Sequence, residues 1–461
     1  MSVIDVLRRW ERRTRPVDPE FAAVLRSRWA ELPEHVKTPA QLLGRHAVGC
    51  EGTHGVFPRC NLACTPCYHS RDANRVRVDG SHTVAEVDKQ MAMLRRLRGP
   101  CAHAQLIGGE VTLLPPDDHA KTLLTMRRYG REPMSMSHGD FDYDYLERLA
   151  LDDQGQPRLP RLSFAGHFDM LMFGRRGIPR PDSERDLHSY RQKFVDMFTR
   201  LRRSHGVRSF LAHNMTVTPA NLGQVADVVR DCHAMGFGMF SFQPAAFVGD
   251  SRRWHEDYQQ TGMDEVWREI ERGVGGPLDY TAFQHGDLRC NRAAYGFFVG
   301  PRWHPFLPGD DRTTRDAFFR YFGGVNFTGV DTPGLAGKVV RTIVRHPVIL
   351  SIAARWLARL VQRVGGLRAL LRHGVRPVSF VVHQFMDAAD VAPAWELMKR
   401  GETATDPRIL AAQERLASCH YAMAHPETGE LVPACVQHSV LDPVENVELR
   451  RLLPIVDVRA S

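Results

Sequence analysis

Three cysteines stand together in the run Cys60-Asn61-Leu62-Ala63-Cys64-Thr65-Pro66-Cys67-Tyr68, a C-x3-C-x2-C spacing. Thiolates this close can hold three irons of a [4Fe–4S] cube and leave the fourth iron without a protein ligand, so that a small molecule must complete it. The same thiolates suit zinc as part of a larger ligand set, and the spacing alone leaves both metals open. Downstream, Leu106-Ile107-Gly108-Gly109-Glu110 is a short apolar run that ends in two glycines and a carboxylate. Its plain reading is a turn at a strand end. Glycine also lets a backbone come close to a ligand. A second group, Cys290, Cys419 and Cys435, lies far along the chain. Glu427-Thr428-Gly429-Glu430 is a turn signal between short apolar runs, so a hairpin over 419–435 would bring the last two sulfurs toward each other. Three thiolates there suit an auxiliary Fe–S cluster with His285, His420 or a substrate as fourth ligand. A mixed Cys/His zinc site or ordinary buried cysteines are the alternatives. Cys50, Cys101 and Cys232 read as structural.

The elements that must position these groups follow from the hydrophobic pattern. Residues 1–48 are charged and helix-prone, a helical lead-in. Over 49–250, strand-like runs alternate with helical stretches, which argues a parallel sheet with crossover helices. The expected strands are Gly55–Phe57, Ala104–Ile107, Pro133–Ser137, Leu159–Phe164, Ser209–Met215 and Gly238–Gln243, with helices such as Val84–Leu97 and Leu222–Ala234 between them. Residues 251–461 form a C-terminal α+β region.

The cysteine run with Tyr68, and Gly108-Gly109-Glu110 after it, resemble the radical S-adenosylmethionine (radical SAM) superfamily. The resemblance implies a partial (β/α)6 barrel with its chemistry at the C-terminal ends of the strands. Ser137-His138-Gly139 would then end the third strand. It implies that Cys60, Cys64 and Cys67 hold a [4Fe–4S] cluster whose open iron chelates S-adenosylmethionine. Reduction by a ferredoxin- or flavodoxin-like donor would release a 5′-deoxyadenosyl radical that takes hydrogen from unactivated carbon. Glu110 would meet the methionine ammonium and Tyr68 the adenine. Ribose contacts would come from Ser163 and from Asn214 or Thr216. Phe242 to Gly249, the Cys290 region, His383 to Asp387 and the Cys419–Cys435 hairpin follow in an order similar to the C-terminal half of the tetraether lipid synthase group. That group joins alkyl ends of membrane lipids and carries auxiliary clusters. The chain departs from it in having no cysteine before Cys50, and in reading Phe164-Ala165-Gly166 where Phe-Asp-Gly is expected. A peptide maturase with an auxiliary cluster is the alternative. A degenerate barrel that binds lipid or metal without turnover is disfavoured by the intact cysteine and glycine motifs.

Composition narrows the setting. The nine cysteines are an odd number and mostly scattered, which argues against a secreted disulfide framework. The N-terminal residues carry charges and no apolar h-region, so no signal peptide is expected. A cytoplasmic protein is expected, with peripheral contact at the inner face of the membrane. The reason for that contact is the segment 335–373. From Thr332 to Met386 there is no acidic residue, and Lys338, Arg341, Arg345, Arg355, Arg359, Arg363, Arg368, Arg372 and Arg376 all fall there. Pro347 and Gly365-Gly366 divide it into three short helices. In the middle one Arg355, Arg359 and Arg363 share a face, and Leu350, Leu357 and Val361 point the other way, as in a helix lying on an anionic bilayer. A solvated helical cap is the plainer reading. The scarcity of interleaved aromatics makes nucleic acid the least suited partner.

Overall fold

The computed structural model describes residues 17–69, 73, 76, 78–100, 102–325 and 332–452. The expectations for residues 1–16 and for Cys101 lie outside them. The strands in chain order are β1 (Cys50–Gly52), β2 (Ala63–Cys64), β3 (Ala102–Leu106), β4 (Arg131–Ser137), β5 (Arg161–His167), β6 (Met172–Phe173), β7 (Arg208–Val217), β8 (Met239–Pro244), β9 (Asn291–Val299), β10 (Arg302–Pro305), β11 (Arg376–His383), β12 (Tyr421–His425) and β13 (Glu430–Pro433).

Among the described residues, eleven strands form one sheet in the order β10-β9-β11-β8-β7-β5-β4-β3-β1-β12-β13. Its centre runs β1, β3, β4, β5, β7, β8, every neighbouring pair parallel. This is the expected parallel α/β core. Parallel neighbours need crossovers, and helices Gly80–Arg98, Pro116–Arg128, Tyr143–Ala150, His188–His205 and Val225–Met235 supply them. Their ends are written locally. Asp79 and Asp142 accept backbone N–H bonds as N-caps, while Gly206 and Gly236 close two helices in the left-handed conformation.

The first strand is displaced from its expected place. Gly55–Phe57 form no strand, and β1 lies at Cys50–Gly52. Val56 and Phe57 are apolar because they pack beneath the cysteine loop in the main core. On β1, Glu51 is fully buried and paired with Arg131 (2.9 Å) and Arg98 (3.3 Å), which joins the starts of β1 and β4.

The C-terminal region is not separate from the core sheet. On one flank β11 pairs parallel to β8, and β9 runs antiparallel to β11. On the other, β12 pairs parallel to β1, and β13 completes the expected hairpin. The two flanks touch. Asn291, which opens β9, donates from Nδ2 to His420 Nδ1 at 2.9 Å, just before β12. His383, which ends β11, lies ring to ring with His420 at 5.3 Å. The sheet is therefore curled back on itself. Phe164, Phe240, Phe242 and Phe380 face the outer helices. By alternation Ser163, Asn214, Ser241 and Gln243 face the concave side.

Candidate functional site

The cysteine loop lies beyond the C-terminal end of β1 and is held from three directions. Ala63 and Cys64 pair with Met172 and Phe173 in the β2–β6 ribbon, and Thr65 N donates to Leu171 O at 3.1 Å. Thr65 Oγ1 is hydrogen-bonded to Tyr258 Oη at 2.9 Å, and Arg253 Nη1 donates to Cys64 O at 3.4 Å. On the third side the loop meets the glycine turn. Gly109 N donates to Phe57 O at 2.7 Å, Glu110 N to Arg59 O at 2.8 Å, and His69 Nε2 to Gly108 O at 2.7 Å.

These contacts explain the two glycines. A Cβ on Gly108 would stand 2.4 Å from Phe57 O, and one on Gly109 would stand 2.2 Å from Pro58 O. The close approach they permit is to the cysteine loop itself, so two distant motifs form one unit. The Glu110 carboxylate is also committed. Its Oε1 accepts from Thr112 N (3.0 Å), Thr112 Oγ1 (2.6 Å) and Ser137 Oγ (2.8 Å), and its Oε2 accepts from His138 N (2.7 Å). A carboxylate offers about four lone-pair sites. Three of these bonds fall on Oε1 and one on Oε2, so Glu110 ties the end of β3 to the end of β4 and keeps accepting capacity on Oε2.

The three thiols interact with one another electrostatically. The Cys64 thiol hydrogen-bonds Cys67, which holds the Cys67 thiolate low and pushes Cys64 up. Burial, with Glu110 nearby, raises Cys60 to about 12. Unscreened thiolates repel one another, and a bound cation centre removes that cost. The Cys64 and Cys67 sulfurs lie within hydrogen-bond reach of each other, and Cys60 lies within electrostatic reach of Cys67. Among the described residues, the set of metal-ligating atoms converging within 4.8 Å contains no cysteine.

Two buried guanidinium atoms beside the loop have no partner, Nε of Arg253 and Nε of Arg175, and on the concave side of the sheet neither do Oγ of Ser163 and Oε1 of Gln243. Buried unpaired polar groups are uncommon in native folds and mark places where a ligand can complete the bonding. Arg175 lies within electrostatic reach of Cys64, Asp169 and Glu110, and Arg253 of Cys67. Nothing in the local sequence marks either arginine. The structure separates the two expected ribose contacts: Ser163 lies near the start of β5, across from Phe210, whereas Asn214 lies four residues further along β7, across from His167 at the end of β5. Beside Asn214, His167 Nε2 is hydrogen-bonded to Asp169 Oδ2 at 2.8 Å and Thr216 Oγ1 at 3.2 Å. Thr216 is thus already engaged. Tyr68 packs against the His438 ring at 4.1 Å and the His69 ring at 4.7 Å, so the chain beyond β13 lies over the loop.

The second cysteine group is gathered. Burial raises Cys290 to about 11 and raises Cys435 further, and in both the Cys419 charge adds to the rise. Arg415 Nε donates to Cys290 Sγ at 3.1 Å. Cys50 also feels Cys419, because β1 and β12 are neighbours and Cys50 N donates to His420 O at 2.8 Å. His285 and His383, both packed near His420, are held neutral by burial down to about 4. Cys232 is buried in the core, as its structural reading requires.

The basic segment forms three helices, Thr332–Arg345, Val348–Arg363 and Leu367–His373. The middle one buries Ile349 and Leu360; Leu360 and the C-cap residue Val364 pack against Phe297 and Val299 of β9, and Trp356 Nε1 donates to Phe306 O at 3.0 Å. Leu350 and Leu357 are exposed as expected, and Val361 is half-buried. The arginine face is mixed. Arg355 points to solvent, Arg359 pairs with Asp311 at 3.4 Å, and Arg363 donates to Pro305 O at 3.3 Å. Among the described residues no helix is long and apolar enough to cross a membrane.

No protein-family model and no curated protein matches the chain. Solved structures overlap it in part. They include Streptococcus suis SuiB bound to precursor peptide SuiA, with 14% identity, 43% of this chain, 39% of that chain and a TM-score of 0.29. They also include anSMEcpe with bound AdoMet and a Kp18Cys peptide, with 12% identity, 48% of this chain, 58% of that chain and a TM-score of 0.31. The chain thus spans less than two thirds of the proteins it overlaps.

Proposed function

We propose that the protein is a radical SAM enzyme whose radical takes hydrogen from an alkyl chain of a membrane lipid. The observation that carries the first half is the union of the cysteine loop and the Gly108–Glu110 turn beyond the ends of β1 and β3, with unpaired arginine nitrogens beside it. A [4Fe–4S] cluster held by Cys60, Cys64 and Cys67, together with S-adenosylmethionine, supplies the 5′-deoxyadenosyl radical. The chain's own residues orient and enclose. Arg253 and Arg175 offer donors to a carboxylate, while Asn214, on β7 across from the end of β5, offers an amide to a sugar. The curled sheet and the chain over Tyr68 keep water from the concave face. Cys290, Cys419 and Cys435 hold an auxiliary cluster, with Arg415 hydrogen-bonded at its rim.

The lipid half rests on the basic helices. Leu335, Val340, Val344, Val348, Leu350 and Leu357 are exposed among arginines, and Val344 is 76% exposed. Apolar side chains and cations on one surface, with no acid from Thr332 to Met386, suit a bilayer interface with anionic headgroups.

The test is anaerobic reconstitution and reduction with dithionite, followed by assay for 5′-deoxyadenosine. Wild type is expected to form it and Cys64→Ala to form none; equal yields would refute the radical reading. Lipid profiles of a deletion strain test the substrate. An unchanged lipid profile beside an altered peptide would replace the lipid reading with a peptide one and leave the radical reading standing.

A further inference from the structure

We infer that His54, His425 and Glu445 form a site for one divalent transition-metal ion of the zinc class, separate from both cysteine groups. His54 follows β1, His425 ends the adjacent strand β12, and Glu445 lies on the helix Asp442–Leu452. One ligating atom from each lies within 4.8 Å of the others.

The hydrogen bonds fix which atoms face inward. His54 Nε2 meets Ala424 O at 2.8 Å, and a carbonyl only accepts, so that nitrogen carries the proton. His425 Nε2 meets Gln437 Oε1 at 2.5 Å. The Gln437 amide is oriented by its Nε2, which donates to Asp442 Oδ1 at 2.9 Å and Glu445 Oε2 at 3.0 Å. His425 Nε2 therefore also carries its proton. In the neutral rings both Nδ1 lone pairs face Glu445, at 3.1 Å from His54 and 3.4 Å from His425. Lone pairs opposed to a carboxylate need positive charge between them.

Protons meet that need only in part. The two rings are stacked with centroids 4.0 Å apart and planes 21° apart, so two imidazoliums there would repel. One divalent ion satisfies both rings and the carboxylate after a small tilt opens the stack. Metal-bound histidines typically give their outer N–H to a carbonyl or carboxylate, as both do here. Two imidazoles and one carboxylate suit zinc and its late first-row neighbours, whereas calcium and magnesium prefer oxygen. Glu445 keeps 25% of its side-chain surface, which leaves room for a water as a further ligand.

The experiment is zinc binding to the full chain after its clusters are reconstituted, with a chromophoric competitor for affinity and zinc-edge X-ray absorption for ligand type. Wild type is expected to bind one tight zinc with a nitrogen and oxygen shell. His425→Gln and Glu445→Gln are expected to lose it. Gln437→Ala keeps all three ligands and is expected to weaken it about 10–100-fold. Circular dichroism establishes that each variant is folded. Equal zinc stoichiometry in wild type and folded His425→Gln, or sulfur in the zinc shell, would overturn the inference. Failure of 5′-deoxyadenosine formation does not bear on it, because these residues belong to neither cysteine group.

Discussion

At the scale of single residues, the chemistry was legible where it was written locally. The spacing of Cys60, Cys64 and Cys67 brings their sulfurs into one loop without help from the fold. The roles of Arg175, Arg253 and the His54–His425 pair were not legible, because each acquires its partner from a distant strand or helix. Glu110 was recognised, but its bonds to the end of β4 were not legible. Its carboxylate accepts bonds from Thr112, Ser137 and His138. Glu110→Gln puts amide hydrogens where donors already point. The expected loss is roughly 1–3 kcal/mol of stability, measurable as a lower urea midpoint; an unchanged midpoint would show that these bonds carry little. Buried histidines set the acid limit. Burial holds His46 and His119 neutral down to about 4, against an ordinary value of 6.5. The unfolded chain binds these protons from pH 6.5 downward and the folded chain does not. Their stabilisation is therefore full above pH 6.5 and lost as pH falls toward 4, at about 1.4 kcal/mol for each pKa unit. Thermal midpoints should fall across that window, less steeply in His119→Gln. A flat wild-type profile would contradict the assignment.

At the scale of elements, most of the central parallel strands were readable because a short run of buried residues is followed by a helix, four of those helices bounded by an Asp N-cap or a left-handed Gly. The first was misplaced because Val56 and Phe57 are buried without being a strand. The joining of the glycine turn to the cysteine loop predicts a coupled failure. Gly109→Ala places a Cβ against Pro58 O and Arg59 O. It should reduce iron–sulfur absorbance though no cysteine is touched, and full absorbance would uncouple the two motifs. For the basic helices, Arg359 and Arg363 are tied to the protein, so Arg355, Arg368 and Arg372 are the informative positions. Wild type should sediment with anionic vesicles, less as salt rises, since screening acts over about 10 Å at 0.1 M. Changing those three arginines to glutamate should release it with its thermal midpoint intact. Wild type remaining in the supernatant at low salt would remove the membrane reading.

At the scale of the whole molecule, the joining of both flanks into one sheet was not legible. Strand pairing between residues near 50 and residues near 421 leaves no signature in either segment. It gathers Cys290, Cys419 and Cys435, so iron should approach about eight per chain, two cubes' worth. Replacing Cys60, Cys64 and Cys67 by alanine should leave part of the absorbance, and a folded but colourless variant would return the second group to packing. The β1–β12 pairing also sets an order of events during synthesis. β1 emerges early with β3 as its partner, while its other edge waits for Tyr421–Met423. Contact order at that edge is high, and an unpaired edge invites association with other chains while a nascent chain is incomplete. The loop of Cys60, Cys64 and Cys67 is synthesised long before Cys435 can complete the group with Cys290 and Cys419. Iron delivered to a stalled nascent chain would find the first destination and not the second.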